Sequence, residues 1–386
     1  MKRTKVVLFA ISAGGVKKHV LDIAKGLDRS QFELVGVFPD QHLLDTVVSS
    51  PDYKYSELFK RLGLKYHVLE IPRRMELRSE AQGFVKLVRI LRKERPDILH
   101  CHSSLAGAIG RPAGLLCGVP RIIYTPHLMY YCWQRGLRRS LFLLIEKALG
   151  HITDRVILVS PSEYEEAVRI FGFRSRCVLI RNGVDMQACQ NHRIQRKTVL
   201  ERIGLDAQSL IVLSVTRLGP QKDIWTLLRA VQRLPAHLPA FHVLIAGDGR
   251  ETAACHSYIA DKRLGERVKL LGWRDDVSDL IAASDVMVLS SHREGMPYSI
   301  LEGAAMGKPQ IGSNVSGIKD GILHGRTGWL FAPGDAVSLA GYLESLLNNR
   351  SLRAQFGKSG QKFVDKQFSL KDMLTRTKDV YLGSVH

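Results

Sequence analysis

Residues 292–309 of the chain read HREGMPYSILEGAAMGKP. Pro297 is suited to the start of a helix, because its missing N–H would have no partner in the first turn, and Gly307 followed by Pro309 would end that helix. The apolar run Val286–Leu289 just before this stretch has the length and composition of a buried strand. The stretch therefore predicts the strand–loop–helix unit from which open α/β sheets are built.

Two carboxylates in this unit could contact a ligand. Glu294 lies on the loop, with no cationic partner evident from the sequence, and Glu302 lies about one turn into the helix. The first-turn amides of Tyr298, Ser299 and Ile300 would point toward an anion. Both carboxylates could face one ligand, one accepting sugar hydroxyls and the other gripping a ribose. The alternative for Glu302 is an ordinary helix carboxylate favoured by the macrodipole.

The same alternation of short apolar runs and helical periodicity extends in both directions along the chain. A polar stretch at residues 190–197 reads as a linker, and 386 residues exceed what one core usually organises. The pattern predicts two doubly wound α/β domains, each with a parallel sheet whose ligands bind beyond the carboxyl ends of the strands. The predicted strands are Val6–Ile11, Phe32–Phe38, Ile98–Cys101, Arg121–Tyr124, Arg155–Val159, Leu210–Val215, His242–Ala246, Val268–Leu271, Val286–Leu289, Gln310–Ile311 and Gly328–Phe331.

The net charge and composition of the chain indicate which kinds of molecule it could bind. Lys and Arg number 56 against 37 Asp and Glu, a net charge of +19, which suggests an anionic partner: nucleic acid, a membrane surface or a phosphorylated substrate. The alternative is a solvated basic surface. The six cysteines form no CxxC pair, so reduced thiols are expected, and no apolar stretch reaches the length of a membrane span.

Three shorter motifs follow predicted strands. Gly14-Gly15 precedes a helix, where glycines let the backbone approach a ligand; a simple tight turn is an equal alternative. Arg217 and Lys222 lie on one loop and could converge on a diphosphate in place of a divalent cation, or could simply be exposed basic side chains. Gly247 follows another strand, and on its own reads as a bare loop turn.

The basic excess is larger in the first half. Residues 1–186 hold 30 basic and 18 acidic side chains, net +12, and the remainder holds 26 and 19, net +7. Two groups suit an anionic lipid surface, or alternatively a core helix with a solvated basic face. The first is Arg73, Arg74, Arg78, Lys86, Arg89, Arg92, Lys93 and Arg95; the second is Tyr130, Tyr131, Trp133, Arg135, Arg138 and Arg139, just before the apolar run Leu141–Ile145.

The pattern E-G-x-P-x-x-x-L-E, with T-R-L-x-x-x-K upstream and G-G after the first strand, resembles the retaining family-four glycosyltransferases of GT-B fold. The resemblance covers nearly the whole chain in the same order. It implies two Rossmann-like doubly wound domains facing across a cleft: an acceptor domain at 1–186, a nucleotide-sugar domain at 190–365, and a C-terminal helix at 366–386 that crosses back to the first domain. It also implies a nucleotide-diphosphate sugar such as a UDP- or GDP-sugar, retention of anomeric configuration, and no metal or other cofactor.

The resemblance also implies roles for individual residues. Arg217 and Lys222 would hold the donor diphosphate, which the Gly14-Gly15 loop would approach from the opposite wall. Glu302 would bind the ribose, and Glu294 the transferred sugar. His127 would be the catalytic histidine, although a lone loop histidine is more often a structural hydrogen bonder. The remaining implied donor-binding residues are Gly247, Gly295, Met296, Pro297, Tyr298 and Ser299.

Some features depart from the family or leave alternatives open. After the predicted strand at Gln310 the family has two glycines and a Glu, whereas this chain has Gly317 and Asp320. Asp275-Asp276 lacks suitable neighbours for a metal site. The expected function is a cytoplasmic transferase, either free or peripheral on the inner face of the cell membrane, with a lipid-linked saccharide as acceptor for surface polysaccharide. A GT-B nucleotide-sugar epimerase and, further off, a nucleic-acid-binding protein are the alternatives.

Overall fold

The computed structural model describes residues 3–11, 14–40, 54–71, 77–171 and 174–384. The chain divides into two compact units. Unit 1 comprises Met1–Asn182 and Asp372–His386, and unit 2 comprises Gly183–Lys371. The last residues of the chain therefore belong to the same unit as the first. The predicted boundaries lay at 186 and 366, within a few residues of these positions.

Unit 1 is built on a parallel sheet, which within the described residues has the strand order β3-β2-β1-β4-β5-β6-β7. Its strands are β1 Thr4–Ala10, β2 Phe32–Phe38, β3 Lys65–Val68, β4 Ile98–His102, β5 Arg121–Thr125, β6 Arg155–Leu158 and β7 Cys177–Leu179. The helices between them are α1 Gly15–Gly26, α2 Tyr55–Arg61, α3 Leu77–Glu94, α4 Ser104–Leu116, α5 Gly136–His151 and α6 Pro161–Phe171. The 3-10 turns Tyr130–Trp133 and Arg174–Arg176 complete the unit before its C-terminal segment.

Unit 2 contains a second parallel sheet, with the order β10-β9-β8-β11-β12-β13 within the described residues. Its strands are β8 Leu210–Val215, β9 Phe241–Ala246, β10 Val268–Gly272, β11 Val286–Leu289, β12 Gln310–Ser313 and β13 Gly328–Phe331. Its helices are α7 Met186–Gln190, α8 Arg196–Arg202, α9 Ile224–Arg233, α10 Thr252–Asp261, α11 Val277–Ala283, α12 Tyr298–Ala305, α13 Ile318–Gly321, α14 Ala336–Asn348 and α15 Arg350–Gln367. Helix α16, Leu370–Leu382, then enters unit 1.

The predicted α/β class and parallel sheets are confirmed. The central strands were found because they are buried on both faces and read as continuous apolar runs, as β1 does from Val6 onward. The prediction missed β3, whose KYHV sequence is half-exposed, and β7, which has only three residues. The predicted linker is partly wrong, since α8 begins at Arg196 and buries Val199 and Leu200.

The strand orders place a topological switch point in each sheet. In unit 1 the chain leaves β1 toward β2 and later returns to the other side at β4. In unit 2 it leaves β8 toward β9 and returns at β11. Beyond the carboxyl ends of two such strands the loops part in opposite directions and leave a crevice where ligands bind.

The C-terminal helix α16 is held in unit 1 by polar and aromatic contacts of Tyr381. The Tyr381 hydroxyl shares a hydrogen bond of 2.7 Å with Nδ1 of His100, and the Tyr381 ring lies edge-on to Phe32. Nη1 of Arg121 donates to the Tyr381 carbonyl at 2.6 Å. Both Tyr381 and His100 are fully buried, so their mutual hydrogen bond replaces water that neither can reach.

We expect Tyr381→Phe to lower the free energy of unfolding by about 1–3 kcal/mol, because it leaves a buried imidazole nitrogen unsatisfied. Urea unfolding followed by far-UV circular dichroism would measure the change. Tyr342→Phe is the matched control: Tyr342 is half-buried and stacks on Trp329 through its ring. An equal loss in both variants would mean that the Tyr381 hydroxyl contributes nothing specific.

Candidate active site

In unit 2 an ion pair joins the two loops at the β8–β11 switch point. Nζ of Lys222, on the loop after β8, contacts Oε1 of Glu294, on the loop after β11. The same oxygen accepts a hydrogen bond of 2.6 Å from the Ser291 hydroxyl, and Glu294 is only 7% exposed. The expectation that Glu294 has no cation nearby is therefore wrong. The two residues are 72 positions apart in sequence but lie on the loops of adjacent strands.

Backbone hydrogen bonds fix the two loops against each other. The His292 amide donates to the Gln221 carbonyl at 2.8 Å, and the Gln221 side chain donates to the Arg293 carbonyl at 2.8 Å. The Ser290 hydroxyl donates to the carbonyls of Lys222 and Asp223 at 3.2 and 2.8 Å. The positions of the ammonium and the carboxylate are thus set by the fold, before any ligand binds.

The two loops that carry this ion pair also hold two arginines whose guanidinium groups have donors unused by the described residues. Arg217 follows β8 and is half-buried, and within the described part of the chain no hydrogen bond or ion pair engages its side chain. Nη1 of Arg293 is buried and, among the same residues, has no acceptor. A buried N–H without an acceptor costs free energy, so these donors are suited to an anionic ligand.

Helix α12 starts beside the Glu294 loop, with Pro297 as its cap residue. Met296 and Tyr298 are buried, whereas Ser299 and Glu302 are half-buried and can reach a ligand. The prediction of three outward amides needs one correction. The Ile300 amide donates to the Pro297 carbonyl at 3.2 Å, because the first turn closes tightly.

Glycines let the neighbouring loops pack closely. A Cβ on Gly247 would lie 1.9 Å from the Thr216 carbonyl oxygen, and the Gly247 φ of 144° also disfavours any side chain. A Cβ on Gly317 would lie 2.3 Å from the carbonyl oxygen of Gly295. Asp320, where the family has Glu, accepts the Gly317 amide at 3.2 Å and so holds this turn. The contacts of Gly247 and Gly295 are with the protein's own backbone.

In unit 1 the β1–β4 switch point carries a group of histidines, of which His19 and His102 are buried and His127 is half-buried. His19 lies on α1, His102 ends β4, and His127 follows β5. Nδ1 of His102 and Nε2 of His127 are 3.3 Å apart, and the His19 and His127 rings meet edge to face at 4.7 Å between centroids. Nδ1 of His19 is 3.1 Å from Oδ1 of Asn182. His127, the predicted catalytic residue, therefore lies within a cluster rather than alone.

The loop that places His127 in this cluster has a strained backbone. His127 and Leu128 have φ values of 53° and 100°, in a region that non-glycine residues rarely adopt. Such conformations cost about 1–3 kcal/mol each and persist only where the surroundings impose them. The buried Glu163 carboxylate accepts the Leu128 amide at 2.8 Å and the Val159 amide at 3.0 Å, and so holds the strained loop.

The glycine pair lies at the start of α1 in the same unit. Gly14 is the cap residue, with a φ of 64°, and Gly15 is the first helical residue. Among the described residues none lies within 4 Å of a Cβ built on Gly14, so its conformation rather than crowding requires glycine there. His19 follows one turn later, which connects the glycine loop to the histidine cluster.

Burial keeps these imidazoles neutral. It lowers the pKa of His19 to about 4, and it lowers the pKa values of His100, His102 and His127 well below their usual value. For His102 and His127 the neighbouring imidazoles lower the pKa further. Neutral rings can donate or accept hydrogen bonds with sugar hydroxyls at physiological pH.

Sequence reasoning missed His19, His100 and His102. The signal was present: His100 and His102 alternate at the end of an apolar strand, and His19 lies five residues after Gly14. Ring nitrogens of His19, His102 and His127 lie within 4.8 Å of one another, so among the described residues this group has the composition of a transition-metal site. By contrast, Asp276 receives two hydrogen bonds from Arg274, and Asp275 accepts one from Trp273.

Two family models match the chain. Residues 195–363 match the glycosyl transferases group 1, and residues 13–188 match glycosyltransferase family 4. The chain belongs to the family 4 glycosyltransferases. These models cover the loops of both switch points: residues 195–363 include Arg217, Lys222, Glu294 and Glu302, and residues 13–188 include His127.

Relatives and solved structures agree with this family. The chain is 27% identical to the Escherichia coli UDP-Gal:alpha-D-GlcNAc-diphosphoundecaprenol alpha-1,3-galactosyltransferase, over 95% of this chain and 96% of that protein. It is 25% identical to the capsular polysaccharide biosynthesis glycosyltransferase CapM of Staphylococcus aureus, over 94% and 96%. The structure of Anabaena HepE in complex with UDP-glucose superposes with a TM-score of 0.83 at 20% identity, over 99% and 100%. This likeness shows the GT-B fold.

The buried histidines make the stability of this glycosyltransferase depend on pH. A histidine whose pKa is lowered by folding stabilises the native state fully above its unfolded pKa near 6.5, and this stability is lost as pH falls toward the folded pKa, about 4 for His19. We expect each such histidine to reduce the free energy of unfolding by up to about 2 kcal/mol between pH 6.5 and pH 5.

Urea unfolding at pH 7 and pH 5 tests this dependence, with His102→Gln as the variant and His237→Gln as the control. His237 is exposed in unit 2, so its replacement should leave the pH dependence unchanged. The dependence should be weaker in His102→Gln. An unaltered dependence in that variant would mean that the buried cluster is not its origin.

Proposed function

We propose that this chain is a retaining glycosyltransferase that moves a sugar from a nucleotide-diphosphate sugar to a saccharide acceptor, without a metal. One observation carries the proposal. At the switch point of unit 2, Lys222 and Glu294 are joined in an ion pair; Arg217, whose cation has no hydrogen-bond or ion-pair partner among the described residues, lies on the same loop as Lys222, and α12 starts just after Glu294. Cations for a diphosphate and carboxylates for sugar hydroxyls thus lie on neighbouring loops.

The donor diphosphate would bind to Arg217, Lys222 and the start of α12. When the glycosidic bond breaks, negative charge builds on the diphosphate, and donors already fixed in place stabilise that charge without reorganisation. Glu294 would accept hydroxyls of the transferred sugar, and Glu302 those of the ribose. UDP-sugars are the first candidates, because the E. coli relative is named for UDP-Gal and the HepE structure contains UDP-glucose. GDP-sugars remain the second candidates.

The acceptor would bind to unit 1, near the histidine cluster. The low pKa of His127 keeps its ring neutral, so the ring can hydrogen-bond a sugar hydroxyl without adding charge. In retaining chemistry with departure and attack on the same face, the acceptor oxygen needs positioning near the leaving diphosphate. We therefore assign no protein nucleophile, and give His127 the role of a hydrogen-bonding partner of the reacting sugar.

A lipid-linked saccharide is the acceptor class that we propose, in surface polysaccharide synthesis at the inner face of the cell membrane. The names of the E. coli and S. aureus relatives refer to a diphosphoundecaprenol acceptor and to capsular polysaccharide. None of the described helices is long and apolar enough to cross a bilayer. The epimerase alternative loses support because the family models describe transferases, and the nucleic-acid alternative rests on the net charge alone.

Substituting Arg217 or Lys222 should weaken donor binding in both cases but lower stability in only one. Arg217→Ala and Lys222→Ala should each weaken UDP-sugar binding by about 10- to 100-fold, the range for a hydrogen bond to a charged group. Lys222→Ala should also lower the melting temperature, because it leaves Glu294 buried without its cation. Arg217→Ala should not, because its side chain makes no hydrogen bond or ion pair with the described residues. Isothermal titration calorimetry and thermal unfolding give the two readouts.

Lys358→Ala is the control for both variants, since Lys358 is an exposed cation on α15. It should change neither affinity nor melting temperature. Wild-type affinity for every UDP-, GDP- and ADP-sugar in Arg217→Ala and Lys222→Ala would refute the proposed diphosphate site.

The reaction itself tests metal independence and stereochemistry together. Transfer to a saccharide acceptor should continue at its full rate in excess EDTA, because cations of the protein neutralise the diphosphate. Proton NMR of the product should show the anomeric configuration of the donor. A rate abolished by EDTA and restored by a divalent ion would contradict the first claim and direct attention to His19, His102 and His127. An inverted product would contradict the second.

A further inference from the structure

Helix α5 exposes a stripe of leucines. The residues that it buries are Glu146 and Gly150, and Phe142, Leu143 and Leu149 are half-buried, whereas Leu137, Leu141 and Leu144 are 91%, 55% and 65% exposed. These leucines have the spacing of one helical stripe, and Glu146 lies nine residues after Leu137, about 180° around the helix. In this respect the orientation of α5 is inverted: an apolar stripe faces outward, and a carboxylate is buried on the opposite side.

A buried polar contact fixes this inverted orientation. Nη2 of Arg111, which is fully buried on α4, lies 2.8 Å from Oε2 of Glu146. The Tyr124 hydroxyl donates to the other carboxylate oxygen at 3.1 Å, and the Arg111 guanidinium stacks over the Tyr124 ring at 4.0 Å. Rotating α5 to bury its leucines would leave Arg111 as an uncompensated buried charge. The outward leucines are thus imposed by the fold.

The other basic segment of unit 1, helix α3, differs from α5 because it buries its apolar face. Helix α3 buries Leu87, Val88 and Leu91, and its described cations point away from that face. The exposed cations are Lys86, Arg89, Arg92, Lys93 and Arg95. Arg73 and Arg74 lie outside the described residues, as do the side chains of Arg78 and Trp133. For α3 the interpretation of a core helix with a solvated basic face is sufficient; for α5 it is not.

The charges around α5 indicate what covers it. Residues 101–150 hold six Arg and Lys and one acidic residue, Glu146, which is buried. Arg135, Arg138, Arg139 and Lys147 are all exposed, so the open side of α5 combines leucines with cations. In a symmetric dimer through this face the same cations would meet one another. An anionic lipid surface satisfies both the leucines and the charges.

We propose that α5 docks this glycosyltransferase on an anionic bilayer, with Leu137, Leu141 and Leu144 among the acyl chains and the arginines at the headgroups. Tyr130, which packs edge-on against Phe142 and is 40% exposed, lies next to α5 at the level of the interface. The docking surface rests on the proposed function in one respect, since it would bring a lipid-linked acceptor near His127. Nine residues, at most about 30 Å, separate His127 from the start of α5.

Vesicle flotation at low salt tests the docking surface. The full chain should float with vesicles of phosphatidylglycerol and phosphatidylcholine, and should not float with phosphatidylcholine alone. Arg138→Gln with Arg139→Gln should weaken partitioning by up to about 30-fold, and Leu137→Gln with Leu141→Gln and Leu144→Gln should abolish it. Raising the salt concentration should weaken binding of the wild type.

Matched controls lie in unit 2. Lys358→Gln with Lys362→Gln removes two exposed cations from α15, and Val337→Gln removes an apolar side chain that is 67% exposed on α14. These controls should float like the wild type. Donor affinity, measured by calorimetry with a UDP-sugar in solution, should be the same in all these variants. If the wild type binds no UDP-sugar, the proposed function is refuted. The flotation result tests only the docking surface on α5.

Several outcomes would overturn the docking surface. One is a wild type that stays at the bottom of the gradient with anionic vesicles at low salt. Another is equal flotation of the wild type and the α5 leucine variant. A third is a wild-type dimer in analytical ultracentrifugation that Leu137→Gln converts to a monomer without changing flotation, which would show that a second copy covers the leucines.

Discussion

The ion pair between Lys222 and Glu294 is the contact on which the proposed donor site depends. It joins the loops on either side of the switch point in unit 2, and it does so in a buried setting where neither charge could remain alone at low cost. The hydrogen bonds of Ser290, Gln221 and His292 then fix the backbone around it. In a site organised in this way, ligand binding does not have to order the charged groups, so less of the free energy of binding is lost.

The two units solve the same geometric problem with different chemistry. Each places its functional side chains where the strand order reverses, because there the loops leave a crevice above the sheet. Unit 2 fills its crevice with charged groups, which suits an anion. Unit 1 fills its crevice with neutral histidines, which suits uncharged hydroxyl groups. The proposed assignment of the donor to unit 2 and the acceptor to unit 1 therefore rests on these side chains and not on the shared architecture.

Much of the fold could be predicted from the sequence, and less of the site. Apolar runs such as Leu210–Val215 identify central strands directly, whereas the edge strand Lys65–Val68 carries mainly polar residues and gives no such signal. The contact between Lys222 and Glu294 depends on strand order, which local periodicity does not contain. The roles assigned to Arg217, Glu294 and His127 came from the family resemblance and stay predictions. The cluster around His127 depends on a strained loop conformation, which the local pattern of residues does not predict.

The seating of Tyr381 against His100 and Arg121 has a consequence for biosynthesis. The main part of unit 1 precedes unit 2 in the chain, yet Nδ1 of its fully buried His100 acquires the Tyr381 hydroxyl only after all of unit 2 has been synthesised. Until then unit 1 lacks α16 and is incomplete while unit 2 is being made. A ribosome that stalls within unit 2 would leave this part of unit 1 translated but without its last helix.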